Sequence, residues 1–301
     1  DIERQKLTSM LPEWLKNKNF TNINDLSLLN LDSDVNTALI VEPRDLLGLD
    51  EIIIDTHKKL GIKWKIVFYC GKGLKYKWSN LLPNLINDNT IDIIELDCNN
   101  FTGDEYSTFF KQHELYEKLY GEYILVFQAD TWIKDNKTLP IEYFISLNKS
   151  YIGSNMNYTW YELESFDINP KCTNFNGGLS LRKRKDMVRI IDYFTKEYND
   201  KKSIEIMNYS EDVFFTIGCY MLNLPISDDE ECSKFSNHSY LTDDCFGFHN
   251  PSIECLNMFV KKYPELLNNP YIIKNEFKQQ LINQNIYINN IEPEFQKIID
   301  C

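Results

Sequence analysis

Four short apolar runs in the first half of the chain define its architecture. TALIVEP (37–43), WKIVFYC (64–70), IDIIELD (91–97) and YILVFQ (123–128) are rich in β-branched and aromatic residues with little polar alternation, the pattern of strands buried on both faces. Between them the apolar positions recur at helical spacing. LDEIIIDTHKKLG (49–61) and EYSTFFKQHELYEKLYG (105–121) each predict a helix closing on glycine, and WSNLLPNLIND (78–88) predicts one with Pro83 in its middle. Strand and helix alternate about every 30 residues, the length of a βαβ unit. The expected fold class is therefore α/β, with a mostly parallel central sheet covered by helices.

The second half is less regular. SYIGS (150–154) reads as a strand, NGGLSLRKRKDMVRIIDYFTKEY (176–198) as a strand and a following helix, NYSEDVFFTIGCYML (208–222) as a helix, and DDCFGFHNP (243–251) as a loop. Residues 1–35 read as a helical arm, 36–255 as the main domain and 256–301 as a helical extension.

At 301 residues, 43% hydrophobic and 14% aromatic, the chain can bury a large core. Its 45 acidic against 32 basic residues give a net charge of −13, which argues against a nucleic-acid backbone as partner. An acidic protein still binds a small anion through a metal or a few placed arginines. No apolar run is long enough to span a bilayer, and residues 1–20 lack the apolar region of a signal peptide, so the expectation is a soluble, cytoplasmic protein. The chain opens on Asp1, which leaves a longer parent chain open. Eight cysteines without a C-x-x-C pair, several inside apolar runs, predict free buried thiols.

Why should a buried strand such as YILVFQAD end on a carboxylate? In open parallel α/β sheets ligands bind beyond the carboxyl ends of the strands, so the residues that close a strand are placed at a site. Gln128 and Asp130, two apart, project to one side of an extended chain. A carboxylate there can hold a divalent cation, and it can equally cap a turn. FNGGLSLR (175–182) opens on Gly177 and Gly178, where backbone can approach a ligand or simply turn. YSEDVFF (209–215) places Ser210 as N-cap with Glu211 and Asp212 in the first helical turn, favoured by the macrodipole whatever else they do. CFGFHNP (245–251) sets His249 between an aromatic–glycine loop and a proline.

Taken in order, Q-A-D, N-G-G-L-S-L-R, E-D-V-F-F and F-G-F-H resemble the nucleotide-sugar glycosyltransferases of the GT-A fold. With LIVEPRD (39–45) and YIGS (151–154) added, the set is similar to a family of poorly characterised glycosyltransferases found in giant viruses and microbes. The similarity covers roughly residues 36–252. It implies that Asp130 matches the last acid of the D-x-D metal motif, with Gln128 standing where most members have the first acid. It further implies His249 as a second metal ligand, Asp212 as catalytic base of an inverting enzyme and Glu211 as reserve. Glu42 and Arg44 would lie near the nucleotide base and ribose, and Gly177 and Gly178 beside the transferred sugar. The implied cofactor is Mn2+, or Mg2+, the donor a UDP-sugar, and the acceptor a glycan or protein hydroxyl.

Two rivals stand beside this expectation. One is a catalytically inactive GT-A-like module that binds sugar or protein, which Gln128 in an acid's place favours. The other is a different nucleotide-binding α/β enzyme, but neither G-x-x-x-x-G-K-[ST] nor G-x-G-x-x-G after the first strand is present.

Overall fold

Each of the four apolar runs forms a strand of one sheet in the computed structural model: β1 (Asn36–Glu42), β2 (Trp64–Cys70), β3 (Ile91–Glu95) and β4 (Tyr123–Phe127). The structure describes residues 33–272, apart from 136–137, 155–160, 165, 167, 169–174, 198–200, 239–241, 243, 265, 267–268 and 270. The expected N-terminal arm therefore lies outside the described residues except at 33–35, and the expected C-terminal extension lies outside them beyond 272.

The remaining described strands are β5 (Thr131–Ile133), β6 (Tyr151–Ser154), β7 (Asn176–Lys183), β8 (Ser236–Asn237) and β9 (Gly247–His249). The main sheet runs β3-β2-β1-β4-β7-β6. The first four of these strands are parallel, whereas β7 is antiparallel to both β4 and β6. A small sheet, β5-β9-β8, sits beside it. The fold is thus mixed α/β with a mostly parallel central sheet. Almost every residue of β1, β2 and β4 is buried, as unalternated apolar strands require.

The helix Leu49–Leu60 buries Leu49, Ile53, Thr56 and Leu60 along one face and ends at Gly61, whose φ of 78° only glycine adopts cheaply. Two other expectations need correction. The segment around Pro83 is two helices, Lys75–Leu81 and Pro83–Asn87, because Leu82 leaves helical geometry and Pro83 starts a new first turn. The segment 105–121 is likewise split into Gly103–Phe110 and His113–Glu117. At the break the buried Lys111 sends its ammonium to the carbonyls of Met207, at 3.0 Å, and Tyr209. A lysine buried at this point needs such partners, and they lie off the helix axis.

The expected loop DDCFGFHNP contains β9, which pairs antiparallel with β5 from Thr131↔His249 to Ile133↔Gly247. Phe248 stacks on Trp132 with ring centroids 5.5 Å apart, and the pair nucleates a second small core with Phe259, Leu266 and Ile272. Part of that core comes from the helix Ile253–Lys262, capped by Ser252. No described helix is long and apolar enough to cross a membrane. The described cysteines 70, 98, 219, 232, 245 and 255 form no disulfide among the described residues, and all but the half-buried Cys98 are buried, as expected.

Candidate active site

Because β1 and β4 are parallel, their carboxyl ends reach the same edge of the sheet. Because β7 is antiparallel to β4, it begins where β4 ends. The pairing Phe127↔Leu179 then sets Gln128 beside Gly178. Residues far apart in sequence meet there for topological reasons alone.

One half of the edge, the candidate cation half, is built on the turn after β4. Thr131 N–H donates to Gln128 O at 3.1 Å, and Gln128 N–H donates to the Thr131 hydroxyl at 3.1 Å, which itself donates to Gly178 O at 3.2 Å. The Gln128 amide donates through Nε2 to Tyr106 Oη at 2.9 Å, which turns Oε1 toward His249 Nε2 at 3.0 Å. His249 Nε2 also lies 3.3 Å from Asp130 Oδ1. Buried His249 is delivered by β9, whose next residue, Asn250, donates its N–H to Asp130 O at 3.1 Å. A Cβ on Gly178 would clash with the His249 ring at Nε2, so only glycine allows the strand to pass this close.

A carboxylate oxygen and an amide oxygen therefore both lie close to one imidazole nitrogen, a set that could hold a cation, and His249 Nδ1 is buried without a hydrogen-bond partner among the described residues. That donor set fits Mn2+ better than Mg2+. Among the described residues no group of three or more His, Cys, Asp or Glu converges as a metal cluster, so any such site relies on the neutral Gln128.

The other half stands at the start of the helix Glu211–Met221. Asp212 Oδ1 accepts from the Ser210 hydroxyl at 2.6 Å and from Val213 N–H at 2.9 Å, and Oδ2 accepts from Gly177 N–H at 3.3 Å. Ser210 holds the N-cap position, but its hydroxyl serves Asp212 and makes no side-chain cap. Burial, reinforced by the neighbouring Glu211 carboxylate, pushes the Asp212 carboxyl up to about 6.

Glu211, expected as the reserve base, is paired with an arginine. It is buried, and Oε1 accepts from Arg182 Nη2 at 2.8 Å. Arg182 is itself buried, also donates to Gly177 O and Ser180 Oγ, and is boxed by the rings of Phe110, Tyr151 and Phe215 at 5.1 to 5.4 Å. Glu211 thus balances a cation under the site, while Asp212 remains at its surface.

Glu42 and Arg44 close β1 and line a cleft of about 480 Å³ together with Tyr106, Gln128, Asp130 and Tyr271. Glu42 accepts from Arg44 backbone N–H at 3.0 Å, from Nε at 2.8 Å and from Nη2 at 2.7 Å. The carboxylate expected to meet a ligand is thus engaged by its neighbour, and Nη1 of Arg44 lies outside the pair. The hydrogen bond to Glu42 and the charge of Asp130 raise the Arg44 pKa, so the guanidinium is a fixed positive charge beside the cation half. A fixed cation beside a donor set of this kind suits an anionic ligand.

The structure brings Gln128, Asp130, Gly178 and His249 together, joins them through Gly177 to Asp212, and places Glu42 and Arg44 on the cleft that Gln128 and Asp130 also line. Sequence reasoning missed Tyr106, Thr131, Arg182, Asn269 and Tyr271. Of these, Arg182 closes the N-G-G-L-S-L-R motif and Thr131 follows Q-A-D directly, whereas the other three stood apart from any motif.

A family model described as "Protein of unknown function (DUF5672)" matches residues 90–249. The chain belongs to this family. The matched range holds Gln128, Asp130, both glycines, Glu211, Asp212 and His249, and leaves out Glu42, Arg44 and everything after His249. No curated protein matches the sequence. Among solved structures, the chain is similar to the mannosyltransferase PcManGT from Pyrobaculum calidifontis in complex with GDP-Man and Mn2+. That alignment has 10% identity and a TM-score of 0.45, covering 99% of this chain and 75% of the other. It is also similar to the apo WbbM bifunctional glycosyltransferase, with 11% identity, a TM-score of 0.48 and coverage of 87% and 53%. A third similar structure is apo mouse xyloside xylosyltransferase 1, with 12% identity, a TM-score of 0.46 and coverage of 71% and 97%.

Proposed function

We propose that the protein is a metal-dependent glycosyltransferase that moves a sugar from a nucleoside diphosphate donor to a hydroxyl of a glycan or protein acceptor, with inversion. The observation that carries this reading is the meeting, on one strand-end edge, of a clamped arginine, a Gln–Asp–His donor set and a carboxylate with a pKa of about 6. The sequence resemblance supports a UDP-sugar as donor, with a GDP-sugar second.

In this reading Arg44, its orientation fixed by Glu42, binds the donor's phosphates. Gln128, Asp130 and His249 hold the cation, which when bound supplies Lewis-acid neutralisation of the charge on the leaving diphosphate. Gly177 and Gly178, whose missing side chains make way for Glu211 and His249, bring the strand backbone up to the site where the resemblance sets the transferred sugar. Asp212 accepts the proton of the acceptor hydroxyl as that oxygen attacks the anomeric carbon and the carbon–oxygen bond to the diphosphate breaks. A carboxylate with a pKa near 6 is ionised at neutral pH yet more basic than an ordinary aspartate, which suits it to that transfer.

Gln128 favours a second reading, a module that binds donor without turnover, because a neutral amide holds a cation less tightly than a carboxylate does. Incubation with a panel of nucleotide sugars and Mn2+, reading free nucleoside diphosphate, separates the two. Release supports transfer, binding without release supports the second reading, and neither binding nor release removes both. Asp130→Ala is expected to weaken Mn2+-supported UDP binding by roughly 10-fold or more. Affinity in calorimetry should then match that of the wild type in EDTA. An undiminished response of Asp130→Ala to Mn2+ would remove this residue from the cation site.

A further inference from the structure

The cleft is completed by a segment that lies beyond the family match. Asn269, buried, donates through Nδ2 to Ala129 O at 3.1 Å and to Thr131 O at 3.0 Å, the carbonyls on either side of Asp130. Its Oδ1 accepts from the N–H groups of Tyr271 at 3.0 Å and Ile272 at 3.3 Å. One side chain thus fastens the Asp130 turn to the 271–272 turn with all four bonds made to backbone. Ile272 is anchored in the small Trp132–Phe248 core, so the fastening is rigid from behind. From that anchor Tyr271 reaches across to the loop after β1, where its hydroxyl donates to Leu47 O at 2.7 Å. Its half-buried ring lines the cleft with Arg44, Phe101 and Asp130.

Tyr271 bridges the two loops that carry the arginine and the cation half, yet its hydroxyl is turned away to backbone, so what it offers the cleft is a fixed aromatic face. A face of that kind, held next to a guanidinium and a carboxylate turn, matches a flat ring joined to a diphosphate. We propose that Tyr271 is the platform against which the donor's nucleoside rests, and that Asn269 is the positioning residue that holds this platform and Asp130 in one frame. The inference rests on the donor-binding reading given above and extends it to residues that reading does not use. A base stacked on an aromatic side chain depends on it by roughly 5- to 150-fold in affinity when the ring is removed.

The test is calorimetry on the full chain in Mn2+, titrating UDP and, separately, inorganic pyrophosphate. Wild type is expected to bind both. Tyr271→Ala should weaken UDP by roughly 5- to 150-fold and leave pyrophosphate unchanged, whereas Tyr271→Phe should keep both affinities. Asn269→Ala should weaken both probes together, because it loosens the Asp130 turn as well as the platform. Tyr271→Trp preserves an aromatic face and adds a spectroscopic readout, with its emission expected to be quenched by UDP and not by pyrophosphate. Unchanged UDP affinity in Tyr271→Ala, equal loss for both probes in that variant, or tryptophan emission indifferent to UDP would each overturn the platform. Binding of neither probe by the wild type would instead remove the donor reading, and this inference with it.

Discussion

Asp212→Asn is expected to lower sugar transfer by roughly 10²-fold or more while donor affinity stays near that of the wild type. The asparagine keeps the shape and an acceptor oxygen for Val213 N–H and the Ser210 hydroxyl, and loses the capacity to take a proton together with the long hydrogen bond from Gly177 N–H. If the residue served merely as a first-turn charge, the change would cost at most about 1 kcal/mol of stability and leave turnover intact. The pH dependence gives a second reading of the same group. The wild-type rate should climb as pH rises toward about 6 and level off above it, since the base works only when ionised. Stability moves the other way. A carboxyl whose folded pKa is raised above its unfolded value favours the folded state most at low pH, and that contribution is lost as pH rises through about 6. Activity lost in mild acid should therefore occur in protein whose thermal midpoint has not fallen on account of this group. A flat rate profile between pH 5 and 7 (roughly one unit either side of the Asp212 value), or equal rates for wild type and Asp212→Asn, would end the case for this base.

Arg182→Leu should cost about 3 to 5 kcal/mol, a large share of a stability of about 5 to 15 kcal/mol, because it strands the Glu211 carboxylate in a buried site without its hydrogen-bonded counter-charge. Adding Glu211→Gln to Arg182→Leu should restore much of the loss, since the second change removes the unpaired charge. Glu211→Gln alone keeps a hydrogen-bond acceptor for Arg182 and should reduce transfer far less than Asp212→Asn. Denaturant melts of the four proteins measure the coupling. Additive losses in the double variant would show that the two side chains do not act as a pair.

The sheet was legible in the sequence because strands buried on both faces write themselves as unbroken apolar runs. The bounds of β1, β2 and β4 fall within a residue or two of the runs that predicted them. The helix breaks were harder for different reasons. Pro83 announced its own break, but the break at Lys111 depends on carbonyls of Met207 and Tyr209, nearly a hundred residues away. β9 looked like a loop because three residues are too few to show a period, and its partner β5 is equally short. The site motifs could be read because they sit at strand ends and a helix start. Arg182 could not be, since within LSLRKRK a basic residue reads as a solvated face, and only the aromatic box and Glu211 make it a core residue. Asn269 and Tyr271 were hidden in a stretch rich in Asn and Ile, where nothing local marks two residues whose partners lie on turns after β1 and β4.

The switch from parallel to antiparallel pairing at β4 has a mechanical result. Gln128 leaves one strand at the level where Gly178 enters its neighbour, and the ladder from Tyr123↔Lys183 to Phe127↔Leu179 ties the two together rung by rung. The spacing between Gln128 and the Gly177–Gly178 backbone, on which Asp212 also rests, is therefore gauged by sheet register, not by loop length. Surrounding loops can lengthen, shorten or change composition while this gauge stays fixed. Moving β4 by a single residue against β7 would turn every inward side chain outward and take the core with it.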